Sequence, residues 1–595
     1  MREYSTPLTI EVPHTGNLTD DVVTNAREAG ASVAFSRRSA SGWQDVTAAR
    51  FLGEVSAVAK GLMAAGIEPG DRVALISRTR YEWTLVDYAI WFAGAVTVPL
   101  YETSSADQIG WILRDSGARA VLAEGKGHLA RIAEVRGDLE QLNHVWAFED
   151  NAIDVLTRLG ADIPDDDLEK RRTTATPLDL ATLIYTSGTT GQPKGCMLTH
   201  GNFMFELAVA VDELEELFAE DGSTLLFLPL AHVLARIVQV GCVRSRTRLA
   251  HSADIKTLVP DLAAYRPTFV LAVPRIFEKM FNTASQRATA DGRGRMFDRA
   301  AETAIAWSRG LDRGGPSLAV RARHAAYSRL VYGRLRASLG DACRYAVSGG
   351  APLGDRLGHF YRGIGLTVLE GYGLTETTAA ITVNTPEAHK VGTVGRPLPG
   401  TTVRVADDGE LLCRGGQVFA GYWNDEASTT EVLERDGWLH TGDVGEVDDE
   451  GFVRITGRKR EILVTAGGKN VAPAVLEDRL RAHPLISQCL VVGDGQPFIA
   501  ALVTLDPESA AEWGAAHNRS RRVADLADDP DLRAEIAAAV EDANQAVSRA
   551  ESIRKFTILD HDWTEEGGQL TPSLKLKRSV VLRECRDEIA DLYPA

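Results

Sequence analysis

The chain has 595 residues, 44% of them hydrophobic and 25% charged, and its 65 Lys+Arg against 82 Asp+Glu leave a net charge of −17. That length exceeds what one core organises, so two or more domains are expected, and the acidic balance makes a poor general binder of nucleic acid. Six cysteines without CxxC spacing, a polar N-terminal stretch and no long apolar run predict a cytoplasmic protein with reduced thiols, no signal peptide and no membrane span.

Helix and strand patterns alternate over residues 47–124. Phe51, Val55, Val58 and Leu62 recur at four and three residues and mark one helix face, with Thr47 as its N-cap. GIEPGD (66–71) is a turn and VALIS (73–77) a buried strand. A helix over 82–93, the strand VTVPLY, a helix after Ser104-Ser105 and the strand ARAVLA follow. Such alternation implies parallel strands under covering helices. The acidic run IPDDDLEK (163–170) reads as a surface loop between two lobes.

A short strand, ATLIY (181–185), then runs into YTSGTTGQPKG (185–195). The hydroxyls of Thr186, Ser187, Thr189 and Thr190 are interleaved with Gly188 and Gly191, and Lys194 follows. Glycines let consecutive N–H groups converge on an anion, hydroxyls add donors, and the lysine brings a mobile charge. The string describes a polyphosphate cradle other than a Walker A loop, which needs GxxxxGK[ST].

Beyond the cradle, LLFLPL (225–230) is a strand ending at His232, a helix runs to about residue 243, and TFVLAVP (268–274) is a strand with a helix over 275–280 behind it. These elements form a second doubly wound lobe, with its loops at the carboxyl ends of the strands where ligands bind. Residues 287–336 hold eleven arginines against four acids at helical spacing. Two readings stay open there, a solvated helix pair or a contact with an anionic membrane face. Residues 391–455 turn short, Gly-broken and strand-like, as a small β-barrel or sheet does. GRKR (457–460) opens a last unit that mixes strands (EILVT, QCLVVG, FIAALVTL) with helices over 473–482 and 531–550.

Five further strings carry chemistry. SGGAPL (348–353) has Gly349, Gly350 and Ala351 behind a strand, where a flat ring could approach the backbone. GYGLTET (371–377) sets Thr375 beside Glu376, and an acid at a phosphate site needs a hard cation between the two. TGD (441–443) offers Asp443 as a ribose acceptor. TAGGKNVAP (465–473) and LTPSLKLKR (570–578) close the series.

In this order the strings resemble the adenylate-forming enzymes, the superfamily of acyl-CoA synthetases, peptide-synthetase adenylation domains and beetle luciferases. TAGGKNVAP is similar to the long-chain fatty-acyl-CoA synthetase version. The resemblance spans nearly the whole chain, and it implies an α/β fold. A large N-terminal domain (1–456) of two doubly wound lobes plus a small β-barrel precedes a small mobile α+β C-terminal domain (457–595). It implies that Thr186, Ser187, Gly188, Thr189, Thr190, Gly191 and Lys194 hold the phosphates of ATP. Gly349, Gly350, Ala351, Gly371, Tyr372 and Gly373 would bind ATP or AMP, with Tyr372 near the adenine. Thr375 would reach the α-phosphate, Glu376 with Thr186 would hold Mg²⁺, and Asp443 with Arg458 would bind the ribose. Arg460 falls at the hinge, where the family has Asp or Lys. Gly467, Gly468 and Lys469 fall along the CoA tunnel, and His232 falls where related enzymes gate the acyl pocket. Lys575 matches the lysine that enters the ATP site, although Leu574 replaces the usual glycine before it and leaves Lys577 as a rival.

The implied reaction joins a fatty acid to AMP with loss of pyrophosphate and then passes the acyl group to CoA. An alternative acceptor is an acyl carrier protein. A peptide-synthetase domain fits less well, because LPLAHVLAR lacks the aspartate for an α-amino group. A catalytically silent nucleotide or lipid sensor would fit had Glu376 or Lys575 been lost. Membrane contact through residues 287–336, at the inner face, and self-association are left open.

Overall fold

Buried strands with helical crossovers build two parallel sheets that share one core. The computed structural model describes residues 2–39, 42–186, 192–254, 257–571 and 575–593, and among these the strands form five sheets. In the first, six-stranded sheet, His144–Ala147, Ala120–Ala123, Arg72–Ile76, Val96–Leu100 and Leu180–Thr186 lie side by side in parallel. An antiparallel hairpin onto Lys194–Thr199 ends it, with Thr186 opposite Lys194. In the second, nine-stranded sheet, parallel pairing runs from Thr367–Tyr372 through Tyr345–Ser348, Phe269–Ala272, Ser223–Leu226 and Arg248–His251 to Val33–Ser39. Antiparallel strands flank that run on both sides.

Helix Ala48–Ala64 forms as its spacing predicts. Thr47 caps it, accepting from the Arg50 N–H at 3.2 Å, and Phe51, Val55, Val58 and Leu62 are buried. Full burial of such a side chain is worth roughly 1.5–3 kcal/mol. One buried ion pair ties the lobes together: Arg236 on helix Val233–Ser245 donates to Asp87 on helix Tyr81–Phe92 at 3.0 Å, and both side chains are 0% exposed. Thr97, Thr182 and Gln239 complete the polar shell around the pair, which keeps two buried charges satisfied.

The predicted barrel region is a five-stranded antiparallel sheet in the order Glu3–Ser5, Thr402–Val405, Glu410–Arg414, Leu439–Val447, Val453–Arg458, an open half-barrel. Its first strand comes from the polar N-terminal stretch. The loop expected over 163–170 is instead helix Asp165–Arg172. Pro164 precedes it, three aspartates fill its first turn and three basic residues its last. Each charge opposes the helix dipole end it sits on, so the helix forms with little apolar content. The strand expected over 225–230 stops at Leu226, and the helix expected over 531–550 is Pro530–Asn544, with Asp529 as its cap.

The C-terminal unit has its own core around strands Ile486–Val492, Ile499–Leu505 and Ile553–Ile558 and helices Pro473–Arg481 and Pro530–Asn544. It meets the rest of the chain through a few polar contacts. Arg275 lies 3.3 Å from the Ser487 hydroxyl, Lys279 3.6 Å from Glu508, and Arg356 3.4 Å from the Ala482 carbonyl. Within residues 287–336, helix Gly294–Leu311 buries Phe297, Ala300, Ala301 and Ala304, whereas helix Leu318–Tyr327 buries no side chain. Among the described residues no helix is long and apolar enough to cross a membrane.

Candidate active site

Both parallel sheets, the half-barrel and the C-terminal unit converge on one continuous cleft of about 3280 Å³. Strand pairing sets its ribose end. Asp443 on strand Leu439–Val447 stands opposite Arg458 on strand Val453–Arg458, with Nε of the arginine 3.1 Å from the carboxylate. Tyr372, at the end of strand Thr367–Tyr372, donates its hydroxyl to the other carboxylate oxygen at 2.7 Å. Burial pushes Asp443 above the usual carboxylate range, and Arg458 pulls it back. Glu410 props this wall by accepting from the Gly442 N–H at 3.0 Å and from Lys459 at 2.8 Å.

Glycines make the approach to the cleft. A Cβ on Gly373 would stand 1.5 Å from the Ala379 carbonyl oxygen, so no larger residue fits. Gly350 has a φ of +86°, which favours glycine, and its open face lies under the Lys575 side chain, whose Cε is 3.5 Å from where a Cβ would be. Gly349, Gly350, Ala351, Gly371, Tyr372 and Gly373 all line the cleft.

The phosphate end is built on the hairpin and on the turn after it. Thr186 and Lys194 face each other across the hairpin, while the expected partners Ser187, Gly188, Thr189, Thr190 and Gly191 lie outside the described residues. Lys194 contacts the Ser428 hydroxyl, lies 3.7 Å from Asp425 and stands over the Tyr422 ring at 5.3 Å. Tyr422 in turn donates to one oxygen of Glu376 at 2.7 Å. The other Glu376 oxygen makes no hydrogen bond to a described residue. Thr375 opens the 3₁₀ turn Thr375–Thr377 and lines the same cleft. One carboxylate with a spare oxygen beside a hydroxyl suits Mg²⁺, which protein sites commonly bind through one or two carboxylates together with substrate phosphates and water. Among the described residues no cluster of three or more His, Cys, Asp or Glu could hold a metal by itself.

His232 caps helix Val233–Ser245. Its Nδ1 accepts the Leu234 N–H at 3.2 Å, which puts the proton of the neutral ring on Nε2. Burial, with Lys575 adding to it, holds its pKa down to about 4. Past His232 an apolar limb of the cleft runs between helices His200–Glu213 and Val233–Ser245. Burial and Arg458 lower Lys575 from its ordinary value, with Asp443 opposing them. Lys577 begins the turn into helix Arg578–Glu584. Gly467, Gly468 and Lys469 are exposed and stand apart from the cleft lining, with Lys469 paired to Glu551 at 3.2 Å. Arg460 is exposed in the turn Lys459–Glu461 and makes no ion pair to a described residue.

Tyr422 and Glu206 belong to the site and were not foreseen. Tyr422 lies in a GYW triplet that reads as strand texture, and only the backbone pairing of residues 421–423 with strand Lys194–Thr199 brings it to Glu376. Glu206 looks like an ordinary helix glutamate in the sequence.

The fold and the cleft, with a lysine from one domain inserted over the glycine turn of another, define a two-domain protein of the adenylate-forming class. Residues 22–423 match the AMP-binding enzyme family and residues 460–595 its C-terminal domain. The chain belongs to this family. It is 52% identical over 598 residues to the long-chain-fatty-acid–CoA ligase FadD15 of Mycobacterium bovis, covering 100% of both chains. It is 30% identical to the long-chain-fatty-acid–CoA ligase ACSBG1 of Rattus norvegicus, covering 93% of this chain and 82% of the relative. The adenylation domain of a carboxylate reductase from Mycobacterium chelonae superposes with a TM-score of 0.74 at 22% identity, covering 97% of this chain and 91% of that one. The anthranilate CoA ligase AuaEII, solved with anthranoyl-AMP, gives 0.73 at 19% identity over 98% and 99%. These two structural likenesses bear on the fold.

Proposed function

We propose that the protein is an AMP-forming long-chain fatty acid–CoA ligase. The observation that carries this is its end-to-end identity with a relative named for that activity, and the apolar limb leading away from His232 agrees with it. In the first half-reaction a fatty carboxylate oxygen attacks the α-phosphorus of ATP, the bond to the bridging oxygen breaks, and pyrophosphate leaves. Thr375 and Lys575 stabilise the charge that grows on phosphate oxygens, which is electrostatic preorganisation. Glu376, with Thr186, would hold Mg²⁺, which supplies Lewis-acid screening of the phosphates when bound. Asp443 and Arg458 fix the ribose, and Lys194 neutralises part of the polyphosphate charge. Neutral His232 guards the entrance to the acyl limb.

In the second half-reaction the C-terminal domain (457–595) turns against the first (1–456) about Arg460 and brings Gly467, Gly468 and Lys469 to the cleft. The CoA thiol then attacks the acyl-AMP carbonyl, the thioester forms, and AMP departs with the bond electrons. Pyrophosphate release over a panel of acids, with and without CoA, tests the whole assignment. At ~0.8 kcal/mol per buried CH₂, palmitate is expected to exceed acetate in kcat/KM by several orders of magnitude. Equal values for the two acids would refute the long-chain assignment. Acyl-AMP that CoA fails to consume would transfer the second step to a carrier protein.

A second reading concerns the exposed face of residues 311–336. Leu318 is 82% and Leu330 57% exposed, and Arg321, Arg323 and Arg329 beside them are exposed and make no ion pair to a described residue. Apolar side chains among unpaired arginines suit the surface of an anionic membrane, where the acyl substrate partitions. Vesicles containing anionic lipid are expected to retain the protein at low salt and release it as salt screens the contact. Replacing the three arginines with glutamate is expected to abolish retention. Binding that ignores salt would return this face to solvent.

A further inference from the structure

One short segment, residues 419–423, is tied to both charged groups at the phosphate end of the cleft. The Phe419 N–H donates to the Glu376 carbonyl at 2.8 Å, which anchors the turn that carries Glu376. Tyr422 bridges Cys196, and the Trp423 N–H donates to the Gly195 carbonyl at 2.7 Å. Those contacts fix the same segment to the strand that begins at Lys194. Tyr422 is further held by its own N–H, which donates to the Thr429 hydroxyl at 2.9 Å, and by its ring, which meets Phe419 edge-on at 4.9 Å. Gly421 before it has a φ of +132°, and a Cβ there would stand 2.8 Å from the Thr429 side chain, so the turn favours glycine.

The side chain fixed in this way serves two charges at once. Its hydroxyl donates to Oε1 of Glu376 at 2.7 Å, and Nζ of Lys194 lies over its ring, 5.3 Å from the centroid. A hydroxyl on a carboxylate makes a charge-assisted hydrogen bond, and an ammonium over an aromatic face is drawn to the ring quadrupole. Lys194 pairs with Asp425 at 3.7 Å and not with Glu376. Opposite charges in a cleft partly removed from water attract strongly. A Lys194–Glu376 pair would occupy the ammonium and the carboxylate that the ligands need, and binding would first have to break it.

We propose that Tyr422 is a positioning residue that holds Lys194 and Glu376 apart, one on its ring face and the other on its hydroxyl. The site then meets a polyphosphate and its divalent cation with both charges already aimed, which is preorganisation. The proposal rests on the assignment above of Lys194 to the polyphosphate and of Glu376 to Mg²⁺.

The test uses α,β-methylene-ATP, an analogue that cannot lose pyrophosphate, and measures its affinity by calorimetry with excess Mg²⁺ and with EDTA. Tyr422→Phe removes the hydroxyl and leaves the ring and the backbone contacts in place. It is expected to lower the strengthening by Mg²⁺ about tenfold with the metal-free affinity unchanged. In a Glu376→Gln background the same change is expected to have no further effect, because the two groups act as one unit. Tyr422→Leu removes the ring as well and is expected to weaken metal-free binding about 2–5-fold, an effect that Lys194→Met is expected to abolish. If Tyr422→Phe weakens binding equally with and without Mg²⁺, or if its effect multiplies with that of Glu376→Gln, Tyr422 only packs and the proposal is overturned. If Mg²⁺ fails to strengthen binding to the wild type, the metal assignment of Glu376 falls and the proposal with it, a result distinguishable from the first two. None of these outcomes bears on the acyl assignment, which the acid panel tests.

Discussion

Lys575→Ala is expected to lower the rate of acyl-AMP formation by about 10²–10³ while leaving thioester formation from supplied acyl-AMP near the wild-type rate. The ammonium lies above the open face of Gly350, within the electrostatic reach of Asp443, Arg458 and His232. A lysine beside an arginine and removed from bulk water carries its charge at a cost, which is why its pKa falls. The cost is recovered only when a polyanion enters between the two cations. That is the situation while pyrophosphate is leaving, and it ends once the product has gone. The same shift gives a sign for pH. Adenylation is expected to fall as pH rises through the lowered lysine pKa, with ATP moving that limb upward by stabilising the ammonium, and Lys575→Ala is expected to remove the limb. Lys577→Ala is expected to change little, since Lys577 starts the following helix. If Lys577→Ala abolishes adenylation and Lys575→Ala spares it, the lysine is misassigned.

What could be read in the chain and what could not divide along a physical line. Helix faces such as Phe51, Val55, Val58 and Leu62, the Thr47 cap and the glycine turn at Gly350 are local, because spacing and backbone freedom settle them within a few residues. Helix Asp165–Arg172 was missed because charge at its two ends, not an apolar stripe, stabilises it. Strand Glu3–Ser5 was missed because its partner Thr402–Val405 lies some 400 residues away in sequence, and an edge strand of three residues has no alternation to read. Tyr422 and Glu206 belong to the same class. Nothing in either residue's neighbours marks it, and each acquires its meaning from a backbone segment that the fold brings beside it.

Gly467→Leu is expected to do the reverse of Lys575→Ala: pyrophosphate exchange survives, and transfer to CoA falls by about 10² or more, the size of effect that misplaced reacting groups produce. The position is chosen for what the structure allows there. In the conformation that has Lys575 in the cleft, Gly467 is exposed, and a Cβ on it would meet only the Thr465 hydroxyl at 3.9 Å. A leucine therefore fits this conformation without strain and leaves adenylation intact. Gly468 would be the wrong choice, because its φ of +76° strains any larger residue and would confuse a blocked path with a distorted turn. The flanking hairpin of Leu463–Val464 with Asn470–Val471, braced by Lys469 on Glu551, holds the turn in either variant. Lys575 and Gly467 belong to one domain, yet only the first reaches the cleft here, so under the proposed assignments a single orientation would not serve both half-reactions. Two variants that each abolish a different half-reaction would establish the swing. If both damage both steps equally, the protein works in one conformation and the assignment of Gly467 to the CoA path falls with the swing.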